Sequence, residues 1–450
     1  MEIEDKTPRQ IISEVTSQKK PIDHRANLNE YYPDGHAIHD RSKRRDKVIK
    51  TDKGTELAPV ARLSLSFQKL IVDRAAAFLA GDGIDIISSP DTDAERLIVE
   101  MIRRTWHDNK IDYKTRQMAR IWMSEQEVAE LWYFEDKDVW GDMGFQGPRM
   151  RVQVLSHSLG DILYPYFDDY GDMIAFGREY VIDKVRYFEV YLQDLKITYR
   201  KDTDWTEVDR EKNMLGKIPV VYYYRDNTEW GDVQNLIERY ETMISNFADA
   251  NDYFASPMVK VKGKVDGFAE KGEQGKLITM DENADASYLT WDQAPEAIRL
   301  EKDTLQELIM SMTQTPDISF KQMQGIGNLS GIALKMMFLD AKLKTLKHQE
   351  EFGEGVQRRI NLIKKGMTLI NTSVGNAVNL QVEPGFKFYL PSNDQEMINM
   401  LSTAAGNRAI MSRKTAVGMN PFVMDAEKEM EDIADEDAAQ FGNIFPEEDV

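Results

Sequence analysis

The sequence predicts an α+β fold in which helical segments surround a block of antiparallel strands. Seven short aromatic and β-branched runs lie between residues 130 and 224, and turn residues separate them at regular intervals. Apolar residues recur at helical spacing over 231–255 and 295–314, with three strand-like runs between these two segments. The 450 residues exceed one ordinary core, so we expect several domains or an elongated subunit.

The first 58 residues are polar and their pattern favours irregular structure. Within them, residues 41–53 form a basic patch that contains seven Lys and Arg and only two Asp. Pro59 suits the first turn of a helix and Gly81 is a stop signal. Three consecutive helices are therefore expected, at about 59–80, 92–106 (capped by Thr92 or Asp93) and 110–130.

The most regular pattern is the pair of helices at 231–255 and 295–314, which Pro257 and Pro316 terminate. The runs "MVKVKG", "GKLITM" and "ASYLTW" between them predict a small β module. A helix of 25 residues is about 37 Å long. Such a hairpin cannot bury both of its faces alone, so we expect copies of the chain to pack side by side.

A glycine-rich segment follows the second helix and precedes a very long one. Gly325, Gly327 and Gly331 lack the lysine and hydroxyl of a phosphate-binding loop, and a helix precedes them instead of a strand. The segment is therefore either a plain connection between two helices or a loop whose movement is part of the protein's function. The long helix is expected at about 330–371 with Ser330 as a cap, followed by the strand "FKFYLP" and three polar helices between 393 and 440.

Charge and composition exclude several classes of protein. The formal net charge is −20, whereas a monomer that binds DNA tightly by neutralising phosphates is expected to be basic. Residues 425–450 carry eleven acidic side chains against Lys428 alone. Without cysteine there is no disulfide, thiolate nucleophile or zinc–sulfur site. No apolar run approaches the roughly 18 residues of a membrane span.

No pattern predicts a catalytic residue, a metal or a cofactor. Among six histidines only His36 and His39 are close in sequence, and we expect both to be solvated. Asp168, Asp169 and Asp172 lie between two strand-like runs, so a hairpin turn is favoured over a two-metal site.

One segment partly matches a calcium-binding loop. Residues 281–292 place Asp281, Asn283, Asp285 and Asp292 at positions 1, 3, 5 and 12. Position 6 is Ala286 where the turn needs glycine, and position 12 is Asp where Glu is usual. Calcium is therefore not expected there.

The order of these elements resembles the portal proteins of tailed bacteriophages, closest to the siphophage type. The segments on which this resemblance rests are "VARLSLSFQKLIVDRAAAFLAGDGIDI", "IPVVYYYRDNTEWGDVQNLIERYETMISNF" and "SFKQMQGIGNLSGIALKMMFLDAKLK". The last is similar to the family's tunnel loop and long wing helix, where an N-x-S-G-x-A-L-K type sequence is common. The resemblance spans about residues 60–400.

The resemblance implies an elongated, non-enzymatic subunit of a ring, usually of twelve copies, at one capsid vertex of the virion. Double-stranded DNA would be pumped through it by the terminase large subunit, held, and later ejected through the tail. The implied partners are other copies of the chain, this DNA, the terminase, a head–tail adaptor, the major capsid protein and a scaffold, with no membrane. Assembly would take place in the host cytoplasm.

The resemblance also implies a division of the chain. Its segments are a polar N-terminal segment 1–58, an α/β wing 59–230, a first stem helix 231–256, a small β-containing clip 257–293, a second stem helix 294–316, a tunnel loop 317–330, the long wing helix with its closing strand 331–392, and a helical crown with an acidic tail 393–450.

Three groups of residues are the expected sites under this resemblance. The tunnel loop would face DNA with Lys321, Gln322, Gln324, Gly325, Gly327, Asn328 and Ser330. The stem would pack between subunits through Leu236, Ile237, Tyr240, Ile244, Phe247, Leu305 and Ile309. The clip would dock partners through Lys260, Lys262 and Lys264.

Two alternatives remain open on the sequence. One is a metal-dependent nucleic-acid enzyme that uses the Asp clusters and the basic patch at 41–53. The other is a different head–tail assembly protein such as an adaptor, although adaptors are usually much shorter.

Overall fold

The chain separates into two compact units. A computed structural model describes residues 5–51, 54–135, 148–254, 259–262, 265–267, 279–280, 285–288, 294–318, 335–388, 394–406, 409–420, 422–423 and 425–444. The first unit comprises residues 1–316 and 340–388, and the second comprises 317–339 and 389–450. Helices and antiparallel sheets occupy separate stretches, which confirms the α+β class.

The helices of the described residues are α1 Pro8–Thr16, α2 His24–Tyr31, α3 Phe67–Ala80, α4 Asp93–Asp108, α5 Ile111–Glu125, α6 Gln234–Phe254, α7 Ala294–Met312, α8 Leu339–Ile370, α9 Asp394–Ala404, α10 Arg413–Gly418 and α11 Ala426–Ile444. The strands are β1 Lys47–Thr51, β2 Gly54–Ala58, β3 Ile84–Ser88, β4 Glu127–Glu135, β5 Arg149–Leu155, β6 Ile162–Phe167, β7 Met173–Ile182, β8 Val185–Tyr191, β9 Leu195–Lys201, β10 Trp205–Lys212, β11 Val220–Tyr224, β12 Val259–Lys262, β13 Val265–Gly267, β14 Thr279–Met280, β15 Asp285–Tyr288 and β16 Val382–Phe386.

The prediction of an irregular N-terminus is wrong. Thr7 and Gln10 form a capping box that starts α1, in which each side chain accepts a hydrogen bond from the other residue's backbone N–H. The helix buries Ile11, Ile12 and Val15 in an apolar cluster with side chains of the large sheet. Only three apolar side chains hold this helix, so the polar composition concealed it.

The predicted β region forms two antiparallel sheets. The larger has the order β10-β9-β8-β7-β6, and the smaller has β11-β4-β5. The first is a meander, as expected of short strands joined by tight turns. The aspartate cluster is such a turn: Asp168 Oδ1 accepts hydrogen bonds from the backbone N–H groups of Tyr170 and Asp172, at 2.9 and 2.8 Å. The hairpin interpretation of this cluster is confirmed.

Several boundaries differ from the expected ones. The helix expected from residue 59 begins at Phe67, because residues 61–65 are extended along α6. Thr92 caps α4 through a capping box with Glu95, as predicted. Near the predicted strand "FKFYLP" (386–391), the described residues form β16 at 382–386, which pairs with β3, while residues 389–391 lie outside the described residues.

The main core of the first unit surrounds α8. Its apolar cluster draws side chains from α3, α4, α5, α6, α7, α8 and the smaller sheet. Burial of this kind supplies roughly 25 cal/mol per Å² of apolar area. The largest fully buried members are the indole rings of Trp122, Trp132 and Trp230.

Two glycines inside α8 allow close packing. The helix is continuous from 339 to 370, so "FGEGVQ" does not interrupt it. A Cβ at Gly355 would overlap the Tyr223 ring, which stacks on Phe352 with ring centroids 4.5 Å apart. A Cβ at Gly353 would lie 3.3 Å from the Phe386 ring.

We expect Gly355→Ala to destabilise the first unit by about 1–3 kcal/mol, although alanine is the better helix former, because the new methyl group overpacks against Tyr223. Gly375→Ala is the matched control, since no atom beyond the local backbone and chain neighbours lies within 4 Å of an added Cβ there. Urea unfolding followed by tryptophan fluorescence measures both, because all seven tryptophans belong to the first unit. Equal midpoints for the two variants would contradict the packing explanation.

The second unit holds the three polar helices predicted between 393 and 440. Ser412 caps α10 by accepting a hydrogen bond from the backbone N–H of Thr415, and Arg413 Nη1 lies 2.7 Å from Asp437 Oδ2 on α11. Within the described part of the chain, no helix combines the length and apolar character that crossing a bilayer requires.

Candidate functional site

The two predicted stem helices, α6 and α7, pack against each other in opposite directions. Arg239 on α6 reaches Glu301 on α7 with nitrogen–oxygen distances of 2.8 and 2.6 Å. At the other end, Lys344 contacts both Glu229, just before α6, and the carbonyl of Thr313, just after α7. The start of α6 therefore lies beside the end of α7.

The protomer itself buries several side chains that the sequence assigned to subunit contacts. Ile237, Tyr240, Leu305 and Ile309 belong to the main core of the first unit. Their packing is thus intramolecular, because α6 and α7 cover each other and the core along this face.

Other predicted stem residues keep some exposure. Leu236 and Ile244 are half-buried and Phe247 is exposed. The structure adds exposed apolar side chains outside the predicted contact set, namely Leu300, Leu308 and Met312 on α7. Helical spacing alone could not tell which apolar residues would remain uncovered.

The predicted clip contains paired strands. β12 and β15 are antiparallel, with Val259 opposite Tyr288, and β13 pairs with β14. Lys260 and Lys262 lie on β12. Lys264 and much of the calcium-like segment 281–292 fall outside the described residues.

All seven predicted tunnel-loop residues, from Lys321 to Ser330, lie outside the described residues. The segment that leads into the loop is described and is held in place. Arg74 Nη1 on α3 donates a hydrogen bond to the carbonyl of Pro316, at 2.6 Å. Lys344 Nζ on α8 donates one to the carbonyl of Thr313, at 2.5 Å.

A buried ion cluster around Glu229 joins this segment to the rest of the first unit. Three basic side chains meet one carboxylate: Arg225 Nη1 lies 2.5 Å and His348 Nε2 lies 3.1 Å from Glu229 Oε2, and Lys344 Nζ contacts Oε1. Burial alone would raise the pKa of Glu229. The His348 hydrogen bond and the charges of Lys344 and Arg225 outweigh burial and hold the pKa well below its ordinary value.

The corner between β11 and α6 positions this carboxylate. The backbone N–H of Glu229 donates to the carbonyl of Met123, at 2.9 Å. The Arg225 guanidinium lies 4.7 Å from the centre of the Trp122 ring, and the His348 ring meets the same indole edge-on at 5.8 Å. Sequence reasoning missed the cluster because Lys344 and His348 lie more than a hundred residues from Glu229.

An extended segment before α3 is fastened along α6. The backbone N–H groups of Leu65, Leu63 and Ala61 donate to Glu241 Oε1, Ser245 Oγ and Asp249 Oδ1, at 2.8, 3.0 and 2.8 Å. Every second residue of an extended chain advances about 6.6 Å, close to the 6 Å between residues four apart on a helix. This match explains why alternate N–H groups meet successive helical turns.

The same face of α6 holds His36, which corrects the expectation of a solvated histidine. His36 is buried and its Nδ1 lies 2.6 Å from Glu241 Oε1. His39 Nε2 lies 2.9 Å from Ser64 Oγ. Across the described ranges of the chain, no three His, Asp or Glu side chains are grouped as metal ligands.

Comparison with known proteins identifies the family of this chain. Residues 13–441 match the model of the family described as "Phage portal protein, SPP1 Gp6-like". The chain is 23% identical over 414 residues to the portal protein of Bacillus phage SPP1, covering 86% of this chain and 79% of that protein.

Solved structures are also similar. The neck of an empty gene transfer agent particle, computed with C6 symmetry, superposes with a TM-score of 0.42 at 11% identity, covering 78% of this chain and 87% of that one. The neck of the native particle, computed with C12 symmetry, gives 0.38 at 11% identity and covers 79% and 88%. Because the family model matches nearly the whole chain, this protein belongs to the SPP1 Gp6-like family of phage portal proteins.

Proposed function

We propose that this chain forms a ring, of twelve copies in the usual portal arrangement, at one vertex of a phage capsid. Double-stranded DNA would enter through the ring during packaging and leave through it at ejection. The observation that carries the proposal is the match to the portal family over residues 13–441. The virion is the proposed location, after assembly in the host cytoplasm.

The stem helices support side-by-side assembly. The α6–α7 pair buries one face within its own protomer, yet Phe247, Leu300, Leu308 and Met312 remain exposed on it. Exposed apolar side chains gathered on one pair of helices favour contact with another protein surface. In a ring, each subunit would present the same two surfaces to its two neighbours.

The charge balance supports a channel through which DNA slides. A wall dense in Lys and Arg would hold phosphates and slow translocation. A net charge of −20 suits weak contact instead. In this proposal, residues 317–330 form the tunnel loop, and Lys321 would be a cation close to the passing backbone. The Glu229 cluster would hold the segment that enters the loop.

The remaining segments receive proposed roles by the same family membership. Residues 257–293 would be the clip, where the terminase large subunit and then the head–tail adaptor dock, with Lys260, Lys262 and Lys264 as candidate contacts. Residues 59–230 and 331–392 would form the wing and face the major capsid protein and scaffold, and 393–450 would be the crown. No catalytic role is proposed.

Electron microscopy of the purified protein tests the proposal. Negatively stained particles should show a ring in top view with a central hole wide enough for a DNA duplex. Mass photometry of the same sample should give a single large multiple of the 51.8 kDa chain. Protein that stays monomeric at micromolar concentration and is also absent from isolated capsids would overturn the proposal.

The loop glycines give a separate expected result. Replacing Gly325 and Gly327 with proline should leave ring assembly intact but shorten the packaged genome, because a stiff loop cannot follow the moving duplex. Ring size and packaged DNA length are the two measurements. If neither changed, the loop would be a plain connection.

A further inference from the structure

A small basic hairpin, β1–β2, is anchored firmly at its base. Arg62 Nη2 lies 2.8 Å from Asp46 Oδ1 and also donates to the carbonyl of Arg44, at 2.8 Å, so the two ends of the hairpin are tied together. Arg44 then reaches α6, with Nη2 2.7 Å from Asp249 Oδ2 and Nη1 2.8 Å from Asn246 Oδ1. The pairs Arg44–Asp249 and Arg62–Asp46 are largely buried.

Beyond this base, the hairpin exposes an apolar pair. Val48 and Leu57 are directly opposite in the antiparallel register, so their side chains share one face of the hairpin. Their exposed fractions are 65% and 69%. A two-stranded hairpin is marginally stable in water unless something packs on it. A firmly held base with an uncovered apolar pair therefore indicates an arm that contacts another molecule.

The charge of the arm narrows the choice of partner. Residues 41–58 carry seven Lys and Arg against three Asp and Glu, a net charge of +4 (7 − 3). The other residues of the chain therefore sum to −24 (−20 − 4). An arm of opposite sign to the rest of its own chain is complementary to a second copy of that chain.

The outer face of α7 offers the matching surface. Leu300, Thr304, Leu308 and Ser311 lie at helical spacing on one exposed face, with exposed fractions of 70% and 42% for the two leucines. The helix carries four acidic residues, and Glu296 and Glu307 are exposed beside these leucines, against two cations. Two leucines on a helix with an excess of carboxylates fit a valine and a leucine on a hairpin segment of net positive charge.

The position of the arm fits the same partner. Asp249, where the arm is anchored, lies toward the end of α6, and Arg239 pairs with Glu301 of the oppositely directed α7. The root of the arm is therefore at the level of the N-terminal half of α7. Rotation about a ring axis leaves the height along that axis unchanged. The N-terminal half of the neighbour's α7, which includes Leu300, therefore lies at the height of the arm.

We propose that the β1–β2 hairpin is an arm that binds the adjacent subunit, with Val48 and Leu57 against Leu300 and Leu308 of the neighbour's α7. The proposal rests on the ring of the proposed function and adds a specific contact to it. It also gives the basic patch at 41–53 a protein partner instead of DNA.

The absence of cysteine from the sequence makes a direct test possible. Chains carrying Val48→Cys and chains carrying Leu300→Cys are mixed, assembled and treated with a short bis-maleimide. Covalent dimers are expected in the mixture and not with either chain alone, because each chain carries only one of the two thiols that the contact would bring together. The control replaces Leu300→Cys with Tyr170→Cys, an exposed position on the β6–β7 turn.

Assembly provides a second readout. Leu57→Glu should raise the subunit concentration needed for half-assembly by about tenfold or more, the equivalent of roughly 1.4 kcal/mol. It should leave the unfolding midpoint of the dissociated chain unchanged, since Leu57 is exposed there. Assembly equal to that of the unsubstituted chain would overturn the arm, as would a variant whose only defect is weaker DNA binding.

Ring formation is scored separately in the same samples by electron microscopy. If rings form but the mixed sample gives no more covalent dimer than the Tyr170→Cys control, the proposed arm contact is wrong. The proposed portal function would not be affected by that result. Unsubstituted protein that forms no rings would overturn both.

Discussion

Replacing Arg359 with methionine is expected to destabilise the first unit by about 3–5 kcal/mol, the usual cost of breaking a buried ion pair from one side. Arg359 on α8 is fully buried, and its Nε lies 2.9 Å from both carboxylate oxygens of Glu130 on β4. Burial opposes the charged guanidinium, but Glu130 outweighs it and keeps the pKa of Arg359 above its ordinary value.

The neighbours of this pair explain why the loss should be large. Arg359 Nη1 donates to Thr115 Oγ1 on α5, at 2.8 Å, and the hydroxyl of Tyr223 on β11 donates to Glu130 Oε1, at 2.8 Å. The guanidinium thus joins α8 to α5 and to the smaller sheet. Without it, the Glu130 carboxylate stays buried without its ion-pair partner and keeps the Tyr223 hydroxyl as a neutral donor.

The measurement is the free energy of unfolding in urea, followed by tryptophan fluorescence. The double variant Arg359→Met with Glu130→Leu should recover most of the loss, because it removes both charges from the core. Arg299→Met is the surface control, since the Arg299–Glu296 pair is exposed, and its effect should stay within about 0.5 kcal/mol. A single variant no less stable than this control would refute the buried-pair argument.

Replacing Glu229 with glutamine is expected to cost a similar amount, about 3–5 kcal/mol. The amide keeps the shape of the side chain but leaves Arg225, Lys344 and His348 without their shared negative charge. Because Lys344 also holds the carbonyl of Thr313, the segment before residue 317 should loosen. Faster hydrogen exchange in residues 309–316, measured by mass spectrometry, is the local signature.

The pH dependence gives a second, independent test of the Glu229 cluster. The folded pKa of Glu229 is depressed, so the stability it contributes is present above its ordinary pKa of 4.5 and is lost as pH falls through the folded pKa. The difference in unfolding free energy between the natural chain and Glu229→Gln should therefore shrink below pH 4.5. A constant difference down to pH 3 would show that the charge is not the cause.

Glu238→Gln is the matched control for this variant. Glu238 lies on the exposed face of α6 and accepts a hydrogen bond from the Gln234 side chain, at 3.2 Å. Its loss should change the unfolding free energy by no more than about 0.5 kcal/mol and should not alter exchange at residues 309–316.

Sequence patterns predicted the fold best where the structure is local. The alternation of short aromatic runs gave the β region, and the 3.6-residue apolar repeat gave α6 and α7 close to their observed bounds. Patterns failed where few apolar residues hold an element, as in α1, and where backbone groups bond to side chains, as in residues 61–65. Both segments do leave short periodic traces, with Ile11, Ile12 and Val15 at helical spacing and Ala61, Leu63 and Leu65 in alternation, but three residues are too few to identify an element.

The sequence by itself determined the order of helices and strands, the absence of cysteine chemistry, the uneven distribution of charge and the likeness to portal proteins. Only the tertiary structure decided which residues of α6 and α7 are buried, where Glu229 and Arg359 find their partners, and that a basic hairpin is anchored on α6. The physical reason is that periodicity reports one element at a time. Ion pairs such as Arg359–Glu130 join residues 229 positions apart, and only the packed chain brings them together.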